Sequence, residues 1–175
     1  WRYRIVDLAN RTNPRERKIW TDLTTFWKEL DAIGIDMYRS LASDQQLLPE
    51  EQSQLVNLLR QRSDSYATQL DTGLTQIALT LEVEKFVIFK ELGFRSIDKG
   101  FIDPFGYSGL GSVNVMHQAA AYDAIFISFW EPGWTWFKGF NFWEISLDPK
   151  KVGGNDDGFS PVGKPETEAV LKKYW

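Results

Sequence analysis

Long helical stripes of apolar residues alternate in this chain with short, continuous apolar runs. The clearest run is Lys85 to Gly93, KFVIFKELG, where five of nine residues are large and apolar. Such a run, with β-branched and aromatic members, predicts a strand buried on both faces. Strict alternation puts Val87, Phe89 and Glu91 on one face and Phe86, Ile88 and Lys90 on the other. A second run, Asp31 to Leu41 (DAIGIDMYRSL), places Ala32, Gly34, Asp36 and Tyr38 on one face and Ile33, Ile35 and Met37 on the other. A third, Gly139 to Ile145 (GFNFWEI), brings Trp143 to the rim if Gly139 and Asn141 face inward, and Glu144 if the parity is reversed.

Helical periodicity fills the intervals. Asn13-Pro14-Arg15-Glu16 has the residues of a helix start, and the helix is predicted to reach about Leu30 with Ile19, Trp20, Leu23, Phe26, Trp27 and Leu30 on one stripe. Leu48-Pro49-Glu50-Glu51 opens a long helical region to about Leu81, with Ser63-Asp64 as a candidate break and Gly73 a weak point. Val113 to Trp130 is a third helix, with Met116, Ala120, Ala124 and Ile127 on its stripe, ended by Glu131-Pro132-Gly133. Pro165 starts a last helix to about Tyr174. Phe94 to Ser112 is a long glycine-rich loop, including Gly109 and Gly111, from which Phe101, Phe105 and Tyr107 project, either as a cleft wall or as a hydrophobic anchor. Asp148 to Lys164 is a second loop over the same rim. The leading Ile5-Val6 and Leu8 patch fits a strand or a helix end, and Asn10-Arg11-Thr12 matches a glycosylation sequon by a short, common pattern.

Strand, long helix, strand is a βαβ unit, which implies parallel strands. Three βα units and a leading fragment are present, where eight close a barrel of about 250 residues. The chain is therefore expected to be α/β and a single domain, 1–175, forming the C-terminal portion of a (β/α)8 TIM barrel. In such barrels, chemistry sits at the C-terminal ends of the strands, where Asp36, Tyr38 and Glu91 fall. The plainer alternatives are that Glu91 merely ends a strand beside solvent or Arg95, and that Asp36 and Tyr38 bond each other or the backbone.

Composition narrows the chemistry. The 175 residues carry a net charge of -4, which gives no basic footprint for nucleic acid. There is no Cys and a single His, His117, which excludes thiolate and multi-histidine metal sites and argues against a histidine-based triad. His117 reads as a surface or helix-packing residue. No apolar run is long enough to span a bilayer. The 8 Trp, 12 Phe and 6 Tyr are enough for an aromatic core with a surplus of the kind that sugar-stacking clefts use. No signal peptide is visible, and a chain opening on Trp1 is expected to lack an upstream part.

Three stretches resemble the family-113 glycoside hydrolases, β-mannanase-type (β/α)8 barrels of the large retaining clan A. Leu30 to Tyr38 (LDAIGIDMY) is similar to their sixth strand, and Lys85 to Asp98 (KFVIFKELGFRSID) to their seventh, where the pattern is K-P-V-x-F-T-E-x-G-Y-R-S-x-D. GFNFWEISLDP and GGNDDGFSPVGKPETEAVLKKYW are similar to their eighth strand and closing helix. The resemblance implies that Glu91 is the catalytic nucleophile and that Tyr38 hydrogen-bonds it. It also implies that Trp143 floors a sugar subsite, and that Asp36 and Arg95 lie in the substrate region, Arg95 as a ligand contact or a structural pair. Lys90 in place of Thr, Phe86 in place of Pro, and Asp98-Lys99-Gly100 depart from the pattern and bear on substrate preference. The resemblance also implies an acid/base at the end of strand four, which is expected to precede this chain.

The implied activity is retaining hydrolysis of β-linked, mannan-like polysaccharide. No cofactor or metal is expected. The expected partners are an oligo- or polysaccharide and the N-terminal half of the barrel, as upstream sequence or a separate chain. The alternative is a non-catalytic carbohydrate-binding or structural barrel domain in a larger assembly.

Overall fold

A computed structural model of the chain describes residues 14–107 and 111–175. Its elements, in order, are α1 (Pro14–Lys28), β1 (Ala32–Met37), α2 (Gln52–Leu81), β2 (Phe86–Leu92), α3 (Val115–Phe129), β3 (Phe137–Phe142) and α4 (Pro165–Tyr174). The strands form one sheet in the order β1-β2-β3, and both pairings are parallel, as the helical crossovers require. The expectations for Ile5-Val6-Leu8, the Asn10 sequon, Asn13 and Gly109 lie outside the described residues.

One face of the sheet is packed and the other is open among the described residues. Ile33, Met37, Val87 and Phe89 are buried in a core with Leu55, Leu59 and Ile77 of α2 and Ala120, Ala124 and Ile125 of α3. Phe89 anchors it, meeting Phe129 and Phe137 edge-on, each at 4.9 Å. On the opposite face Gly34, Asp36, Phe86 and Lys90 are exposed. That is the alternation expected for β1.

The helices depart from the sequence expectations in instructive ways. α2 runs unbroken through Ser63-Asp64, because Ser63 is buried and Asp64 Oδ1 accepts a hydrogen bond from Ser128 Oγ of α3 at 2.7 Å. Asp64 thus makes an interhelix contact where a break was expected. α3 buries far more than the expected stripe. Ala119, Ala121, Tyr122 and Phe126 are buried as well, and Met116 is exposed. The cause is packing on several sides: α3 contacts α2, and its Phe126 ring meets Phe140 of β3 at 4.9 Å and stacks on Tyr174 of α4 at 4.6 Å. On α1, Ile19 and Phe26 are exposed, since no described element covers that side of the helix. The end of α1 is held instead by the buried Lys85, whose ammonium donates to the carbonyls of Lys28 and Leu30. Finally, β3 begins at Phe137, earlier than expected, and ends at Phe142. Gly139, at φ 133°, takes up an extra residue in its pairing with β2.

Candidate active site at the carboxyl ends of the strands

Glu91 reaches the open face by an interruption of the strand's alternation. Ile35 pairs with Phe89, and the next residue of β1, Asp36, pairs with Glu91, so Lys90 is an extra residue in β2. The pairing with β3 shifts at the same place, between Phe89 and Leu92. A bulge of this kind re-aims side chains. Alternation alone would have sent Glu91 to the helix side with Val87 and Phe89. Instead its carboxylate meets Tyr38, which follows Asp36 on the open side, and Lys90 meets Asp36. The expectation that Glu91 shares a face with Val87 and Phe89 is corrected accordingly.

The central contact joins a phenol to a carboxylate. Tyr38 Oη donates to Glu91 Oε2 at 3.0 Å, across a separation of 53 residues. Burial, followed by the hydrogen bond and charge of Glu91, pushes the Tyr38 hydroxyl well above its ordinary value of 10.0. The hydroxyl therefore stays protonated and remains a donor to the carboxylate. Beside this pair, Lys90 Nζ lies 3.4 Å from Asp36 Oδ1. Its alkyl chain crosses Gly34, where an added Cβ would fall 2.6 Å from Lys90 Cδ. Asp36 is thus engaged by Lys90, not by Tyr38.

Trp143 lies just past β3. Its backbone N–H donates to Leu92 O at 2.9 Å, and the side chain is half-buried. Its indole Nε1 is buried and has no partner among the described residues. Gly93 permits this approach, because a Cβ there would fall 2.0 Å from the Trp143 carbonyl oxygen. Tyr38, Glu91 and Trp143 thus all stand at the C-terminal ends of adjacent strands. Glu144, the alternative for the rim, is also half-buried.

Arg95 is placed differently. It is buried and donates from Nε to Asp157 O at 3.2 Å, from Nη2 to Asp157 Oδ2 at 2.5 Å and from Nη1 to Tyr107 O at 3.3 Å. These contacts pair its guanidinium with Asp157 and the Tyr107 carbonyl. The same clasp includes Lys164, fully buried, with its ammonium on Ser96 Oγ at 2.8 Å, Asp156 Oδ2 at 2.9 Å and Gly158 O at 3.1 Å. Burial pulls the Lys164 ammonium below its ordinary value, against the opposing pull of Asp156. Gln118 of α3 closes the arrangement, donating to Phe94 O and Phe159 O and accepting from Thr167. Sequence reasoning placed 148–164 as a loop over the rim, within the stretch similar to the family's closing segment, and did not foresee this fastening. The signal that this loop is fastened was the pair of adjacent aspartates followed by a lysine in a chain segment otherwise rich in glycine. His117 packs edge-on to Phe101 at 5.3 Å, and its Nδ1 accepts from Lys99 N at 2.9 Å, so it packs its helix against the loop that follows β2. Burial, more than Asp98 opposes, lowers its pKa. Among the described residues no group of acidic and histidine side chains is arranged to hold a metal ion.

The profile of Glycoside Hydrolase Family 113 matches residues 11–164, which is most of the chain. The chain belongs to glycoside hydrolase family 113. No curated protein sequence matches it. Among solved structures, it is similar to the family-113 β-mannanase AaManA from Alicyclobacillus acidocaldarius in complex with ManMIm, at 24% identity and a TM-score of 0.61, over 85% of this chain and 40% of that one. A family-113 β-1,4-mannanase gives 21% identity and a TM-score of 0.57 in a complex, and 22% and 0.57 in a second structure, over 87% of this chain and 41% of each. The chain therefore spans about two fifths of the length of these structures, and the likeness is to part of a TIM-barrel fold. The family-113 match covers β1, β2 and β3, Glu91 with its Tyr38 donor, and both sides of the clasp up to Lys164. No helix among the described residues is long and apolar enough to cross a membrane.

Proposed function

We infer that this chain is the strand-six-to-eight portion of a retaining family-113 glycoside hydrolase that cuts β-linked, mannan-like polysaccharide, and that Glu91 is its nucleophile. The observation that carries this is the Tyr38–Glu91 hydrogen bond at the carboxyl ends of two adjacent parallel strands. A retaining mechanism uses two carboxylates about 5 to 5.5 Å apart. Glu91 attacks the anomeric carbon and forms a glycosyl-enzyme as the glycosidic bond breaks. The second carboxylic acid protonates the leaving oxygen and then takes a proton from the water that releases the sugar. Tyr38 engages Oε2, orients the carboxylate and leaves Oε1 to attack. Trp143 offers its indole as the floor of the sugar subsite at Glu91. Asp36, held by Lys90, lies on the wall of that subsite. The acid/base belongs to the first half of the barrel, which also covers the open sheet face, as upstream sequence or as a second chain.

The test is to assay residues 1–175 on β-mannan and aryl β-mannosides, alone and with the first half of the barrel supplied. The expected outcome is no turnover alone, turnover with both halves, and its loss in Glu91→Gln by several powers of ten. Turnover by residues 1–175 alone would place an acid/base within them and overturn the half-site. No turnover with both halves present would assign the chain to a non-catalytic carbohydrate-binding barrel.

A further inference from the structure

We propose that Phe105 and Tyr107, on the loop between β2 and α3, form an aromatic platform that binds sugar units of the substrate beyond the one at Glu91. This rests on the glycoside hydrolase reading above. Of the three aromatics on the loop, Phe101 is the anchor: it is fully buried, and its carbonyl accepts from Leu41 N at 2.8 Å. Phe105 and Tyr107 do the opposite, leaving 65% and 61% of their surface exposed. Single exposed apolar residues are ordinary, but grouped aromatics beside a site mark a binding surface.

Their placement links them to the nucleophile. The Phe105 ring meets the Tyr38 ring edge-on at 5.5 Å, and the Tyr38 hydroxyl holds Glu91. Tyr107 follows at 6.4 Å from Phe105 and packs on the buried Phe159 at 5.2 Å. A run of ring contacts thus leads outward from the carboxylate along the rim, where barrel loops build substrate sites. The platform is also held in shape. Gly106 N donates to Asp103 O at 3.0 Å in a tight turn, where an added Cβ would fall 2.5 Å from Asp103 Oδ2. Arg95, itself fixed to Asp157, donates to the Tyr107 carbonyl. Rings fixed before the ligand arrives lose little freedom on binding. A β-linked pyranose presents a face of C–H groups between equatorial oxygens, and such a face fits an exposed ring while its hydroxyls stay in water. The ligand class is therefore a β-linked oligosaccharide longer than one unit.

The experiment uses protein carrying both halves of the barrel. kcat and KM are measured on a β-1,4-mannohexaose and on an aryl β-mannoside for wild type, Phe105→Ala, Tyr107→Ala, the double variant and Phe105→Trp. Melting temperature is recorded for each. The expected result is a rise in KM for the hexaose, with a loss of kcat/KM in the double variant exceeding its loss on the aryl mannoside by on the order of tenfold. Phe105→Trp is expected to restore most of it. Equal losses on both substrates would mean that Phe105 acts only through Tyr38, and an unchanged hexaose KM would mean that no sugar rests on the loop; either overturns the platform. Calorimetric affinity for the hexaose in the Glu91→Gln background separates this from the parent reading. Weaker binding in the loop variants supports the platform even where hydrolysis is absent, and unchanged binding refutes it even where hydrolysis is confirmed.

Discussion

A hydrogen bond of 3.0 Å ties Tyr38, a neutral donor, to the Glu91 carboxylate. Hydrogen bonds to a charged group contribute about 1.5–3 kcal/mol. Tyr38→Phe is therefore expected to lower kcat by roughly ten- to a hundredfold in protein with both barrel halves, read by steady-state kinetics on an aryl mannoside. The same residue has a signature in stability. Its folded pKa is raised, so the stabilisation is complete below pH ~10 and is lost as the pH rises toward the folded value. Urea unfolding at about pH 8 and about pH 11 is expected to show that loss in wild type and a smaller one in Tyr38→Phe. Tyr122, raised by burial, and Tyr174, raised by burial and then by Asp123, contribute to the remainder. At this scale the sequence showed which residues belong together: the site-facing series ending in Asp36 and Tyr38, and the run ending in Glu91. It did not show the direction of Glu91, because alternation is a rule of regular strands and Lys90 is an insertion in one. Nor did it choose a role for Arg95, since a guanidinium serves a sugar or an aspartate equally well until the fold brings Asp157 to it.

Between elements, the fit is tightest where Gly93 passes the Trp143 carbonyl. Gly93→Ala is expected to force the ends of β2 and β3 apart and to cost about 1–3 kcal/mol or more. Gly154→Ala, where a Cβ meets nothing within 4 Å, is expected to leave the melting temperature unchanged. A similar melting temperature for both variants would show that the close approach relaxes at no cost. The clasp between the two rim loops makes a second prediction. Lys164→Met strands the carboxylate of Asp156 in a buried site and is expected to cost about 3–5 kcal/mol in urea unfolding. Adding Asp156→Asn is expected to recover part of that loss, and simple additivity would show that the two groups do not act as a pair. The first three helices were legible from their apolar periodicity and the last from the proline that starts it. The full burial of α3 was not, since it depends on neighbours on several sides that periodicity cannot count.

For the whole molecule, the decisive feature is a sheet that is packed on one side only among the described residues. Gly34, Asp36, Phe86 and Lys90 face outward from the described residues, and β1 and β3 each have an edge with no partner strand among them. Near the β3 edge, Trp130 and Trp175 meet at 6.3 Å and both are exposed. Unpaired edges and grouped aromatics recruit other chains. Residues 1–175 by themselves are thus expected to self-associate and to bind a hydrophobic dye, as read by light scattering and fluorescence. Adding the first half of the barrel is expected to suppress both signals, and a dye-silent monomer would count against the missing cover. Parallel order was legible from the helical crossovers between the strands. What lies on the open face was not, because alternation along a strand shows which side is apolar and not what packs against it.

The bulge at Lys90 acts on β2 as a frameshift acts on a message. Upstream of it, odd-numbered residues read into the helices; downstream, the frame has slipped by one, and Glu91 reads into the open face beside Tyr38. Point substitutions at Lys90 leave that frame alone but remove the ammonium that pairs with Asp36. Deleting a residue elsewhere in the strand, between Phe86 and Phe89, would instead shift the core side chains out of frame while the bulge persisted. Transplanting this strand between barrels therefore requires carrying the extra residue before Glu91 together with Tyr38, the partner that Glu91 then meets.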